Sequence, residues 1–303
     1  MIPYEKYHGT GNDFVVVDAE NHVPDRAAFA TAVCDRSEGV TAGDGDVGDA
    51  AGVSADGETG VGSGRTGADG VLFLHLEPEF RPPRVVMTLV QPDGSTAAMC
   101  GNGARCAAAW AAARTTADEV MIDTLAGTRH AEILADEVTV EMGEPSFEPA
   151  DVPLAGDEPL IEAEVGGYEV TAVDTGVPHA VAFVDDVADV DLEVDGPAIR
   201  HAEEFPEGAN VTFASPRDDG GFDQRTFERG VEGETASCGT GAVAIAVVAR
   251  HLGLADDGPV AVHPPGGDLA VSFDDRGVPR LHGPVVREFD GEADATPVRT
   301  VDA

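Results

Sequence analysis

Two of the four cysteines in this chain of 303 residues share a context. Cys100-Gly101-Asn102-Gly103-Ala104 leads into Arg105-Cys106-Ala107-Ala108-Ala109-Trp110, and Cys238-Gly239-Thr240-Gly241-Ala242 leads into Val243-Ala244-Ile245-Ala246-Val247. Each reads as a turn feeding an apolar helix headed by the cysteine. A thiol there meets unpaired backbone N–H groups and the positive end of the helix dipole, so its pKa falls and it becomes a usable acid or base near neutral pH. The N–H groups of Gly101, Asn102, Gly239 and Thr240 suit a carboxylate, and the glycines let it approach closely. A thiolate on one face of an α-carbon and a thiol on the other would invert that stereocentre, one removing the proton and the other delivering one. Cys34 and Cys106 lack this setting and read as small core residues.

Other chemistries are poorly served. Acidifying an α-proton through pyridoxal phosphate needs a lysine, and Lys6, the only lysine, adjoins no phosphate-binding glycine loop of the expected kind, so no cofactor is called for. There is no Cys-x-x-Cys pair to suggest zinc and no secreted context for disulfides, so all four cysteines are read as thiols and no metal is expected.

The elements that position the cysteines repeat as well. After each helix come a strand (Glu119–Thr124; Val260–His263), a glycine turn and an alternating strand (Ala131–Leu134; Leu269–Phe273). Both helices are small or apolar on every face, so each must be buried on every side by strands. The expected fold is α+β: two pseudosymmetric lobes around one cleft, each a curved, barrel-like sheet of mixed or antiparallel strands wrapped about a central helix. The first lobe spans residues 1–141 and carries Cys100, the second spans 142–282 and carries Cys238, and 294–303 is a loose acidic tail. Further strands are expected at Tyr4–Tyr7, Phe14–Asp18, Val71–Leu76, Arg84–Val90, Leu160–Val165, Tyr168–Asp174, His179–Val184, Ala209–Ala214 and Phe222–Glu228, with a helix around Asp25–Cys34. Residues Thr41–Arg65, nearly all small or acidic, cannot bury enough apolar surface to hold a fixed fold and read as an inserted, solvated loop. The loop's Gly-Asp-Gly-Asp start hints at calcium but lacks the repeat such an array requires.

Against 18 basic residues stand 57 acidic ones, a net charge of −39. Molar salt screens such self-repulsion, so the composition reads as adaptation to the salt-rich cytoplasm of a halophile, the alternative being an acidic protein of no special habitat. Nucleic acid and anionic membranes are excluded as partners. With no apolar run long enough to span a bilayer and no signal peptide at the N-terminus, a cytoplasmic location is expected.

Several blocks resemble the signatures of the diaminopimelate epimerase family, of the wider group that includes proline racemase. They are Tyr7-His8-Gly9-Thr10-Gly11-Asn12-Asp13-Phe14, Met99–Cys106, Met142-Gly143-Glu144-Pro145, Pro178-His179, and Phe227-Glu228-Arg229-Gly230 leading into Glu234–Gly241. The resemblance runs from about residue 4 to 291, apart from the insertion. It implies Cys100 and Cys238 as the acid/base pair and His179 and Glu228 as neighbours that tune their pKa values. It further implies Asn12, Gln91, Asn210, Glu228 and Arg229 as substrate-binding residues beside Gly101, Asn102, Gly239 and Thr240. A C-terminal segment, 283–293, would return to the first lobe, and many members pair as homodimers, with Phe289 at a position associated with that contact. The chain departs from the family at Gln91 and Val177, where asparagine is usual, and the insertion splits the Gly-x-Gly-Ala-Asp-Gly segment. The implied reaction is epimerisation of LL- to meso-diaminopimelate in lysine biosynthesis. The alternatives are a racemase or epimerase of another amino acid such as proline or hydroxyproline, a non-catalytic binding protein that keeps the carboxylate cradle, and a dithiol redox protein.

Overall fold

The computed structural model describes residues 1–42, 64–135 and 137–295. The insertion expected at 41–65 lies, apart from its ends, outside the described residues, as do residues 296–303 of the tail. The chain divides into two compact units, residues 1–138 with 284–303, and residues 139–283.

In the first unit, Ile2–Gly9 and Asn12–Asp18 form an antiparallel hairpin. Helix α1 (Arg26–Cys34), N-capped by the Asp25 carboxylate, precedes Gly70–Glu77, which lies parallel to Asn12–Asp18 and antiparallel to Arg84–Val90. Helix α2 (Gly101–Thr115) then crosses to Glu119–Thr124, parallel to Arg84–Val90 and antiparallel to Gly127–Leu134. Val286–Ala293 pairs antiparallel with Ile2–Gly9.

The second unit repeats this order. Tyr168–Asp174 and Pro178–Phe183 form a hairpin, and helix α3 (Leu192–Arg200) precedes Asn210–Pro216, parallel to Pro178–Phe183. Phe222–Glu228 pairs antiparallel with Asn210–Pro216, and helix α4 (Gly239–His251) crosses to Val260–His263, parallel to Phe222–Glu228. Leu269–Phe273 and Pro279–Pro284 close the unit as antiparallel neighbours. The repeat visible around the cysteines thus covers nearly the whole of each unit, and the fold is the mixed α+β class the buried helices demand.

Alanines 104, 107, 108 and 111 and Trp110 are buried on α2, and α4 is buried from Gly239 to Ala249. Short side chains all round let strands close on every face of a helix. Helix α3, for which the sequence analysis names no element, contains Gly196 and Pro197, residues that ordinarily break a helix. It is kept by contact: a Cβ at Gly196 would stand 2.8 Å from the Phe227 ring, so only glycine lets this helix pack on that strand. The strand expected at Leu160–Val165 shortens to Ala163–Val165, since Glu162 turns into the left-handed region at φ 47°. Phe289 sits in the core of the first unit at 3% exposure, edge-on to Tyr4. Among the described residues no helix is long and apolar enough to cross a membrane.

Candidate active site

The predicted residues are divided between the two units. In the first, the two-residue turn Thr10-Gly11, with φ of 57° and 75°, has the twist that suits a tight hairpin and places Asn12 at the strand entrance. The left-handed conformation is costly for β-branched Thr10, and Arg105 Nη2 holds it through Thr10 Oγ1 at 2.7 Å. Arg105 is wholly buried, which draws its pKa down to about 10, and it also donates to Asn102 Oδ1 at 2.6 Å and to the Pro284 carbonyl at 2.9 Å. Asn12 Nδ2 donates to Asp69 at 2.8 Å, which turns Asn12 Oδ1 toward Asn102 Nδ2 at 3.4 Å and Cys100 Sγ at 3.8 Å. Cys100 is the N-cap of α2, and its sulfur accepts the Gly103 N–H at 3.4 Å, a bond that favours the thiolate.

Behind Asn12 lies an ion network built on a buried pair. Lys6 is fully buried with its ammonium 2.6 Å from Asp13, and Arg36 donates to both Asp13 oxygens and pairs with Asp69. Burial alone would raise the Asp13 pKa, but the Arg36 bonds and the Lys6 charge outweigh it and hold it down to about 2. The only lysine is thus committed to an ion pair. Gln91 closes the turn before Thr96–Ala97: its N–H donates to the Ser95 carbonyl and its Oε1 accepts from Ser95 Oγ at 2.9 Å.

In the second unit Cys238, 6% exposed, caps α4 by backbone geometry, its sulfur making no cap bond. The sulfur lies 3.5 Å from Thr240 Oγ1, which lies 3.0 Å from His179 Nε2. His179 Nδ1 meets Thr212 Oγ1 at 3.1 Å, and Thr212 meets Thr226 Oγ1 at 3.2 Å. Gln224 Nε2 donates to Thr226 Oγ1 and to the Cys238 carbonyl, both at 3.0 Å. Burial, and then the Arg229 charge, push the His179 pKa down to about 3, so the imidazole is neutral at physiological pH. Asn210 spends its carboxamide on backbone, accepting the Arg229 N–H at 2.8 Å and donating to the Pro178 carbonyl at 3.3 Å. Arg229, half-buried, reaches the Gly208 carbonyl at 3.1 Å, and Glu228 accepts from Thr235 Oγ1 at 2.8 Å. Val177 sits in the loop before Pro178–Phe183, its carbonyl accepting from Thr175 N–H at 3.2 Å.

The structure therefore joins Asn12, Asn102 and Cys100 in one half-site, and His179, Thr240 and Cys238 in the other, with Asn210, Glu228 and Arg229 adjoining along the chain. The sequence reading missed Asp13, Asp69, Arg36 and Arg105 as the frame of the first, although Asp13 and Arg105 stand inside its quoted blocks. It also missed Thr212, Thr226 and Gln224 beneath the second. Their only signal is alternation: Gln224 and Thr226 fall on the inward face of Phe222–Glu228, where apolar residues are the rule. Among the described residues no group of three or more His, Cys, Asp or Glu side chains could hold a metal ion.

The family model described as diaminopimelate epimerase matches residues 63–148 and 171–287. A diaminopimelate epimerase of Methanocella arvoryzae is 42% identical over 97% of this chain and 97% of its own. That of Methanothrix thermoacetophila is 40% identical over 90% of this chain and 89% of its own. Among solved structures, a probable proline racemase from Agrobacterium radiobacter superposes with a TM-score of 0.65 at 17% identity, over 99% of this chain and 95% of that one. At such identity this is a likeness of fold.

Proposed function

The chain belongs to the diaminopimelate epimerase family, and from that premise we propose that it interconverts LL- and meso-diaminopimelate, without a cofactor, by moving the α-proton between Cys100 and Cys238. The observation that carries this reading is the matched pair of Cys-Gly-x-Gly-Ala helix caps, one in each unit. One sulfur takes the α-proton as a thiolate and the other, as a thiol, delivers a proton to the opposite face, so the roles exchange when the reaction runs backward. The backbone N–H groups of Gly101, Asn102, Gly239 and Thr240 hold the α-carboxylate, and their hydrogen bonds strengthen as charge spreads into it from the carbanion. Asn12, Gln91 and Arg229 serve the distal amino-acid group, the Arg229 fork suiting its carboxylate. Asn210 supports that arginine through its backbone, and Glu228 lies beside it in sequence. The enzyme acts in the cytoplasm on a small amino acid.

The test is exchange of the substrate α-proton in heavy water, under reducing conditions in molar salt, with LL-diaminopimelate and proline compared. Wild type is expected to exchange and epimerise diaminopimelate. Cys100→Ala and Cys238→Ala are each expected to lose at least about 100-fold in epimerisation. Exchange with proline alone would transfer the reading to a racemase of the same fold, and an active single mutant would overturn the two-base assignment.

A further inference from the structure

The polar groups beneath Cys238 form a closed ring, and its hydrogen-bond direction can be worked out from one fixed point. The Cys238 carbonyl can only accept, so the Gln224 atom facing it at 3.0 Å is the amide nitrogen, and the second hydrogen on that nitrogen goes to Thr226 Oγ1. Thr226 is buried, and among the described residues Thr212 Oγ1 is the acceptor its hydroxyl proton meets. Thr212, having accepted that proton, gives its own to His179 Nδ1. The imidazole must then carry its hydrogen on Nε2 and donate it to Thr240 Oγ1, whose remaining proton points at Cys238 Sγ. The opposite direction would strand the Thr226 hydroxyl proton in a buried position without an acceptor, an arrangement buried polar groups avoid.

We propose that the bonds running from Gln224 through Thr226, Thr212, His179 and Thr240 are polarised in one sense, each donor along them pointing toward the sulfur, so that Thr240 and His179 hold Cys238 as a thiolate without a cation and without His179 taking up a proton. Gln224, Thr226, Thr212 and His179 are positioning residues, and of this ring the Thr240 hydroxyl is the group that meets the sulfur. Hydrogen bonds aligned head to tail polarise one another, which strengthens the last one where it meets charge. The donor groups of the ring are uncharged, and burial and the Arg229 charge both disfavour the imidazolium.

The matching frame of the first unit shows that the fold does not require these groups. Leu72 stands opposite Leu89 where Thr212 stands opposite Thr226, and Met87 and Phe14 occupy the strand positions of Gln224 and His179. A buried polar ring has replaced an apolar layer in one of two copies of the same frame. The glycines agree: a Cβ at Gly103 would meet Leu72 at 3.2 Å, whereas one at Gly241 would meet Gln224 Nε2 at 2.7 Å and the two threonine hydroxyls at 3.1 and 3.2 Å.

The catalytic meaning of this assignment rests on the epimerase reading, but its test needs no substrate. In a Cys100→Ala background the thiolate absorbance rising between about pH 5 and 9 belongs to Cys238, because burial pushes Cys34 up to about 12 and Cys106 higher still. Thr240→Val is expected to raise that midpoint by about one unit or more, and Thr240→Ser to restore it. Nitrogen NMR of His179 in the wild-type chain should show the neutral Nε2–H tautomer across the same range. Should Thr240→Val fold poorly, Thr226→Val, which removes the hydroxyl that fixes the direction, is expected to raise the midpoint by a smaller amount. An unmoved midpoint in a folded variant, or an Nδ1–H tautomer, would overturn the proposal. Failure to exchange diaminopimelate protons would leave this ionisation result standing and count against the reaction alone.

Discussion

The two units build the same cysteine-headed helix on the same strand order and surround it with opposite kinds of polarity. Beside Cys100 are formal charges: Arg105 within α2, and behind Asn12 the buried pair Lys6 and Asp13 with Asp69 and the more exposed Arg36. Cys238 instead rests on hydroxyls, an amide and a neutral imidazole. Charges act over several ångströms and tolerate small displacements, whereas a hydroxyl relay acts only through bonds of correct length and angle. The first unit should therefore be sensitive to deletion of a charge, and the second to displacement of an atom.

Asp13→Asn is the strongest way to break that contrast. It leaves the fully buried Lys6 ammonium without its partner at 2.6 Å, and loss of one member of a buried ion pair typically costs about 3–5 kcal/mol. Urea unfolding should show this loss, and a double change, Lys6→Met with Asp13→Leu, should recover much of it. An unfolding midpoint unchanged in Asp13→Asn would mean that the network does not frame the first half-site.

These differences set the limit of what could be read from sequence. The cysteine blocks were legible because Cys-Gly-x-Gly-Ala recurs and each copy opens an all-apolar helix, and from those two helices the α+β class and the strands that bury them followed. Strands such as Arg84–Val90, Glu119–Thr124, Tyr168–Asp174 and Phe222–Glu228 were legible from β-branched and alternating residues. Helix α3 was not, since what favours Gly196 is a contact with Phe227, distant in sequence. The partners of the candidate site were hidden for the same reason. Lys6 meets Asp13 across a hairpin, Asp69 meets Asn12 across the insertion, and Thr212, Thr226 and His179 meet only once three strands have paired.

A steric test sharpens the comparison from the other side. A methyl at Gly241 would stand 2.7 Å from Gln224 Nε2, and neither the amide nor the threonines can yield without losing a bond of the ring. Gly241→Ala is expected to cost about 3 kcal/mol, at the upper end for overpacking, and to raise the Cys238 midpoint as well. At Gly103 the same methyl meets a Leu72 methyl at 3.2 Å and ordinary contacts to Cys100. A leucine can shift by a few tenths of an ångström, and alanine gains about 1 kcal/mol in helix propensity, so Gly103→Ala should leave stability nearly unchanged. Paired unfolding curves decide the matter, and equal losses at both glycines would dissolve the distinction between an apolar and a hydrogen-bonded floor.

A smaller effect than that at Gly241 is expected at the edge of the charged unit, where Glu288 is buried beside His8, its Oε1 3.8 Å from the imidazole and neither oxygen in a hydrogen bond of ordinary geometry. Burial lifts its pKa to about 7 from an ordinary 4.5, the Lys6 charge only partly offsetting the rise. Between those two values the unfolded chain has released the proton while the folded one still holds it. Stability from this group is thus fully present below about pH 4.5 and is lost as pH climbs through 7. Burial of His8 lowers its pKa, which weakens the compensating charge it could offer Glu288. Glu288→Gln keeps the shape and removes the ionisation, so above pH 7 it should be more stable than wild type by about 2 kcal/mol once partial solvent screening is allowed for. Below pH 4.5 the two should unfold together, and a wild-type stability that instead rises from pH 4.5 to 7 relative to the variant would show that Glu288 is held as a carboxylate by the charges around it.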